Sequence, residues 1–132
     1  MLGDLIYEAK GKTLGLRVLD DNGTMEMTNM ENGVVLGTEC TTMVTLVCKR
    51  RPDGTQYSEG HAVISTKDGD AATSNVSCII IPKGLPPLGS VRGASFYYTQ
   101  SPNLARLNNL VCIFEAEINE DMSYTIKKWE WK

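Results

Sequence analysis

The sequence predicts a single all-β domain, a closed antiparallel up-and-down barrel of about eight strands. Three observations lead there. Turn-forming dipeptides punctuate the chain: Asn22-Gly23, Asn32-Gly33, Asp53-Gly54 and Asp68-Gly69 each supply the positive φ that tight hairpins need. The segments between them are rich in Val, Ile, Thr and Tyr, the residues that suit a pleated surface. The connections are short, which forces sequential antiparallel pairing, and a meander of that length must close or leave two long edges open to aggregation.

In chain order, strands are predicted at about 3–11, 13–20, 24–31, 34–50, 55–66, 71–82, 90–99, 107–118 and 123–131. Gly11-Lys12-Thr13 lacks a preceding glycine-rich loop and reads as a turn, not a phosphate cradle. The stretch Pro82 to Gly89 carries three prolines, which exclude it from a central strand and make it the one long irregular loop. A helical turn is predicted near 101–107, where a capping Ser101 precedes Pro102 at the first helical position. No repeat or second domain interrupts residues 1–132, and 42% hydrophobic content suffices for a core.

Composition excludes several function classes. The net charge of -3 and scattered Lys and Arg argue against a nucleic-acid surface; Lys49-Arg50-Arg51, beside a turn, reads as a solvated strand end. The N-terminus lacks a signal-peptide pattern, and no stretch is long enough to span a membrane as a helix, so a cytoplasmic protein is expected. Cys40, Cys48, Cys78 and Cys112 lie in apolar runs without a C-x-x-C pair and read as reduced core thiols. With one histidine and no cysteine pair, no metal site is expected, and no nucleotide or hydrolase motif marks a cofactor.

An eight-stranded barrel is filled by its side chains or holds one small ligand, and alternation along each strand decides what reaches the lumen. Tyr57, Glu59, His61 and Val63 share one face; Ser58, Gly60, Ala62 and Ile64 share the other. Glu59 and the sole histidine are therefore neighbours, suited to proton transfer if their face is the lumen and ordinary solvated groups if it is not. The lumenal alternative is the one expected here, with the pair close to Phe96–Tyr98. Arg92 and Tyr97 are candidates to polarise a carbonyl or hold a carboxylate. Of Asn108 and Asn109, one is expected to point inward, bonded to the nearby loop backbone or to a ligand. Glu39 lies among Val35, Thr41, Met43 and Val47, where burial would raise its pKa, although a wet exterior serves it equally. Met25, Met27, Met30 and Met43 offer adaptable apolar surface, and Trp129 and Trp131 could plug one end or stack on a ligand.

Several pieces together carry a family resemblance: Leu2-Gly3-Asp4-Leu5-Ile6-Tyr7-Glu8, Arg51-Pro52-Asp53-Gly54-Thr55 leading to Tyr57-Ser58-Glu59-Gly60, Ser65-Thr66-Lys67-Asp68-Gly69, Leu107-Asn108-Asn109-Leu110, and Trp129-Glu130-Trp131-Lys132. The chain resembles a family of small uncharacterised microbial proteins with a barrel like that of allene oxide cyclase, within the lipocalin-like group. The resemblance spans nearly the whole chain but rests on turns and strands, so it implies a fold and brings no catalytic residues. The chain departs from the family pattern in the aliphatic stretch Met43 to Cys48, in His61 and in the apolar loop Ile81 to Leu88.

The functional expectation is a barrel that binds a small apolar organic molecule and, in its sharper form, acts as a cofactor-independent cyclase or isomerase. Such chemistry needs shape, exclusion of water and one or two polar groups. The candidates are Glu59, His61, Arg92, Tyr97, Asn109 and Glu39. The alternatives are a carrier barrel without chemistry, used as a lipocalin is, and a filled barrel acting through its surface as a homo-oligomer or interaction module. No nucleic acid, membrane or cofactor is expected as a partner.

Overall fold

The computed structural model describes residues 1–85 and 88–132; Pro86 and Pro87, in the loop predicted from its prolines, lie outside the described residues. Eight strands run in chain order: β1 (Leu2–Val18), β2 (Met25–Val35), β3 (Thr38–Arg50), β4 (Gln56–Thr66), β5 (Ala71–Pro82), β6 (Gly89–Tyr98), β7 (Cys112–Ile118) and β8 (Ser123–Trp131). Each pairs antiparallel with its sequence neighbours, and β8 returns to β1, so the barrel closes as predicted. Strand makes up 69% of the chain, and the one helical element among the described residues is a 3₁₀ helix, η1 (Pro102–Asn109). No helix among the described residues is long and apolar enough to cross a membrane.

Three boundaries differ from expectation. β1 is one continuous strand, and the predicted turn at Gly11-Lys12-Thr13 is absent; a register shift between Thr13 and Gly15 bends the ladder instead. Gly33 lies inside β2, so Asn32-Gly33 is not a turn. It is needed there because a Cβ would overlap the backbone of Glu8 on β1. The hairpin falls at Leu36-Gly37, with φ of 47° and 82°. Asn108 and Asn109 end η1, and β7 begins only at Cys112.

The barrel has two unlike ends. At the floor, η1 folds across the opening and buries Leu104 and Leu107. Asn108 fixes it there, its Oδ1 accepting from the Thr99 backbone N–H at 2.8 Å while its Nδ2 donates to the Thr99 carbonyl at 3.0 Å. Arg106 ties the same helix to Asp4 on β1 (2.8 Å) and Glu130 on β8 (3.1 Å). At the other end, the mouth, the turns at 19–24, 51–55 and 119–122, with Gly84 and Leu88 after β5, ring an opening.

Between the ends, the inward faces carry small and branched apolar residues: Val44 and Leu46 on β3, Ala62 and Ile64 on β4, Val76 and Ile80 on β5. All four cysteines are buried in this core and unpaired.

Candidate functional site

The inward face of β4 is Ser58, Gly60, Ala62 and Ile64, so Glu59 and His61 are exposed on the exterior. This overturns their expected lumenal placement. The narrow lumen takes the small face of the strand, and the charged face keeps its hydration. Glu59 accepts a hydrogen bond from the Tyr57 hydroxyl at 3.0 Å, and the register sets His61 beside Thr45 and Asn75. Arg92 is also outside, donating from Nη1 to the Val91 carbonyl and lying 3.6 Å from Glu117. Glu39 is exposed, 4.0 Å from Lys67, and Asn109 is exposed on η1. Met30, Met43 and Trp131 are exposed too, whereas Met25 and Met27 face the mouth. Of the six candidates, only Tyr97 points inward.

What surrounds Tyr97 was not singled out from sequence. Lys128, on β8, is buried to 4% exposure, and its ammonium donates to the Tyr97 hydroxyl at 2.8 Å and to Ser95 Oγ at 3.0 Å. Nζ also lies over three rings, 4.9 Å from the centre of Tyr7, 5.2 Å from Tyr97 and 5.3 Å from Phe114. Ring faces are negative, so this packing offsets part of the lost hydration. Among the described residues, no carboxylate lies within 4.0 Å of that ammonium.

The balancing charge is Glu31 on β2, 4% exposed. Its two oxygens accept from the Tyr7 and Tyr124 hydroxyls, each at 2.6 Å. The Tyr7 hydroxyl also lies 2.8 Å from Thr42 Oγ1. Gly11 on β1 makes the Tyr124 contact possible: a Cβ there would overlap the tyrosine ring. Further toward the mouth, Thr13 donates to Asn29 Oδ1 at 2.7 Å.

These groups have the electrostatics of a polar cluster in an apolar vessel. Burial opposes the charge on Lys128, but Tyr97 and Glu31 outweigh it and hold the ammonium above its ordinary pKa. Burial, and then the charge of Glu31, push the Tyr7 and Tyr124 phenols far upward, so both stay protonated donors. Burial likewise raises Tyr97, against the pull of Lys128.

Glu31 and Lys128 open onto one inner chamber of about 50 Å³, walled by Val44, Leu46, Val76, Ile80, Val91, Phe114 and Ile126. Thr13, Met27, Ile80 and Ile118 line both this chamber and the mouth cavity above it, which measures about 450 Å³. Together the two fall within the size usual for small-molecule sites, about 300–1,000 Å³. The chamber alone has room for only a few atoms beside the charged pair.

One sequence signal pointed to this site. Lys127 and Lys128 are adjacent on a strand, and alternation sends one of any such pair inward. Glu31 gave no such signal, because methionines fall on both faces of β2.

No protein-family model matches the chain, and no curated protein matches it. Solved structures do. A conserved protein of unknown function from Rhodopseudomonas palustris superposes with a TM-score of 0.78 at 13% identity, over 98% of this chain and 97% of that one. A beta-barrel like protein from Acinetobacter baumannii gives 0.77 at 12% identity, over 100% and 96%. A protein described as an enzyme, from Penicillium herquei, gives 0.63 at 16% identity, over 98% and 96%. At these identities the likeness is one of fold.

Proposed function

We propose that the barrel binds a small, largely apolar organic molecule through the mouth and acts on it as a cofactor-independent isomerase or cyclase, with Lys128 and Glu31 as the polar groups that meet it. One observation carries the reading: a buried ammonium and a buried carboxylate face the same apolar chamber without pairing to each other. Stability alone does not favour that arrangement, since each isolated charge costs several kcal/mol of desolvation and direct pairing would offset more of it. Charges held apart in a dry cavity fit a molecule whose charge shifts between them during reaction. The resemblance to allene-oxide-cyclase-like barrels and the one neighbour described as an enzyme lend fold-level support only.

Binding of nitrobenzene, followed by isothermal titration, tests the site. Wild-type protein is expected to bind it, and Met27→Trp, at the junction of mouth and chamber, to lose binding while keeping its circular dichroism spectrum. A wild type that does not bind, or a variant that binds equally well, removes the reading.

A second reading, a filled barrel that works through its surface, is favoured by the small chamber and by the exterior. Met30, Met43, Val63 and Tyr98 sit in one cross-strand row, all exposed. Light scattering that shows a stable oligomer, broken by Met43→Lys, would support it.

A further inference from the structure

We propose that the molecule held in the lumen carries a carbonyl group whose oxygen rests on Lys128 Nζ, and that Glu31 takes a proton from the carbon beside that carbonyl, giving an enolate. This rests on the reading of the lumen as a ligand site and names the substrate class that site selects.

The ammonium has three N–H donors. Two are used, on Ser95 and Tyr97, and the third has no acceptor among the described residues. Lys128 lines the chamber, so that donor is available to an oxygen entering from the mouth. The identity of the oxygen follows from Glu31. A carboxylate or phosphate ligand would bring a second anion beside Glu31 inside about 50 Å³ of apolar space, and repulsion there is strong. A neutral carbonyl brings a lone pair and no charge.

The same geometry favours ionisation of the neighbouring carbon. The C–H bond breaks, its proton goes to a Glu31 oxygen, and its electron pair moves onto the carbonyl oxygen. Negative charge thereby leaves Glu31 and arrives beside the ammonium, while the chamber's net charge stays the same. In an apolar, preorganised cavity that displacement toward a fixed cation is strongly favourable. Tyr7 and Tyr124 hold one lone pair of each Glu31 oxygen, which orients the carboxylate and leaves the other lone pairs free to accept the proton.

Protonated Glu31 can return the proton to a different carbon, which completes an isomerisation. Alternatively, the enolate carbon attacks an electrophilic carbon of the same molecule, and Glu31 protonates the anion that results, which closes a ring. Both outcomes conserve atoms and electrons and need no co-reactant.

4-Nitrophenol serves as the test, because its phenolate mimics an enolate oxygen and absorbs apart from the neutral phenol; nitrobenzene is the same body without the oxygen. Because the enolate stands beside a protonated Glu31, the mimic is read in Glu31→Gln, whose side chain is neutral: that variant is expected to bind the phenolate about tenfold more tightly than the phenol, seen as a drop of about one unit in the probe's apparent pKa. Adding Lys128→Met to it should abolish that drop with the circular dichroism spectrum unchanged. If nitrobenzene binds wild type but Glu31→Gln shows no preference for the phenolate, the carbonyl assignment falls and the ligand site stands. If neither probe binds, both fall. For the proton transfer, α-deuterium exchange of cyclohexanone, followed by NMR, should exceed the buffer rate with wild type and return to it with Glu31→Gln. Exchange at the buffer rate with wild type, when Glu31→Gln does prefer the phenolate, overturns the role of Glu31.

Discussion

The floor and the mouth of the barrel are built on opposite plans. Floor contacts join segments distant in sequence: Arg106 reaches Asp4 and Glu130, Thr99 Oγ1 donates to the Ala71 carbonyl at 2.6 Å, and Leu104 and Leu107 of η1 enter the core. At the mouth, the side-chain hydrogen bonds of the turns at 19–24, 51–55 and 119–122 stay inside single turns, and cross-links lie beside the loop after β5, where Ser90 Oγ donates to Glu117 at 2.7 Å and Lys83 lies 3.6 Å from it. Asp20 accepts from the backbone of Asn22 and Thr24, Asp53 from Thr55, and Asp121 from Ser123. These three turns therefore hold themselves and leave their neighbours free, whereas the floor is cross-linked around η1. A vessel closed at one end by long-range contacts and open at the other can admit a ligand without loosening its core.

The largest expected effect tests that contrast in stability. Leu107 is fully buried, and Leu107→Ala removes the plug of the floor. It should cost about 3 kcal/mol, in the range for a large-to-small change in a close-packed site. Leu88, which lines the mouth, is only partly buried, and Leu88→Ala should cost less than about 1 kcal/mol. Urea unfolding of both variants measures the difference; equal losses would mean that the mouth is as much a part of the core as the floor.

The chamber between the ends supplies the next effect. Lys128→Met leaves the Glu31 carboxylate without a nearby cation, and Glu31→Gln leaves the ammonium without its anion. Each single change should destabilise, and the double variant should lose less than the sum, by about 1–2 kcal/mol. A double-mutant cycle in urea reads this coupling directly. Zero coupling would show that the two charges do not sense each other across the cavity.

How much of this was legible in the sequence follows the same division. Asn22-Gly23, Asp53-Gly54 and Asp68-Gly69 all became turns with glycine at positive φ, because local backbone chemistry determines them. Asn32-Gly33 misled because its glycine answers a long-range demand, close packing of β2 on β1. The true hairpin was concealed because it places Leu36 at a φ of 47°, where leucine gives no signal. Neither Asn108 nor Asn109 points inward, since both are exposed on a 3₁₀ helix and not on a strand, although Asn108 does bond loop backbone at Thr99. The site was harder to read. Glu59 and His61 looked purposeful together, but which face of a strand is lumenal depends on closure, a property of the whole ladder. Lys128 and Glu31 lie on strands whose two faces have similar composition, so alternation could not assign them.

A pH experiment sharpens the comparison further. The Arg106 hydrogen bond, and then its charge, hold Asp4 below its ordinary 3.8. The Asp4 backbone N–H, with Arg106 behind it, holds Glu130 below 4.5. Groups with depressed folded-state values contribute stability that is complete above the ordinary values and is lost as pH falls through the depressed ones. The floor clamp is therefore expected to weaken below about pH 4.5, and Arg106→Met to be less stable at neutral pH while losing less on acidification. Asp20, Asp53 and Asp121 at the mouth are held low by their own turn residues, so acid should still weaken the mouth of that variant. Thermal melts from pH 7 to pH 3 would show the two curves converging; parallel curves would mean that the clamp does not titrate.

The smallest effect maps the opening by reactivity. All four thiols are buried, and burial raises each of them, Cys40 to about 11 and Cys78 to about 12, so at pH 8 little thiolate exists and access through native fluctuations sets the rate. Their positions differ along the barrel axis. Cys48 lines the mouth cavity, Cys78 the inner chamber, and Cys112 sits at the floor near η1 with no exposure. If the mouth is the end that opens, iodoacetamide should modify Cys48 first, Cys78 next and Cys112 last, with roughly tenfold between the extremes for openings that differ by about 1.4 kcal/mol. Peptide mass spectrometry of a labelling time course gives the order, and nitrobenzene in the lumen should slow Cys48 and Cys78 without changing Cys112. Earlier modification of Cys112 would reverse the assignment of the two ends, because it would place the weak closure at η1.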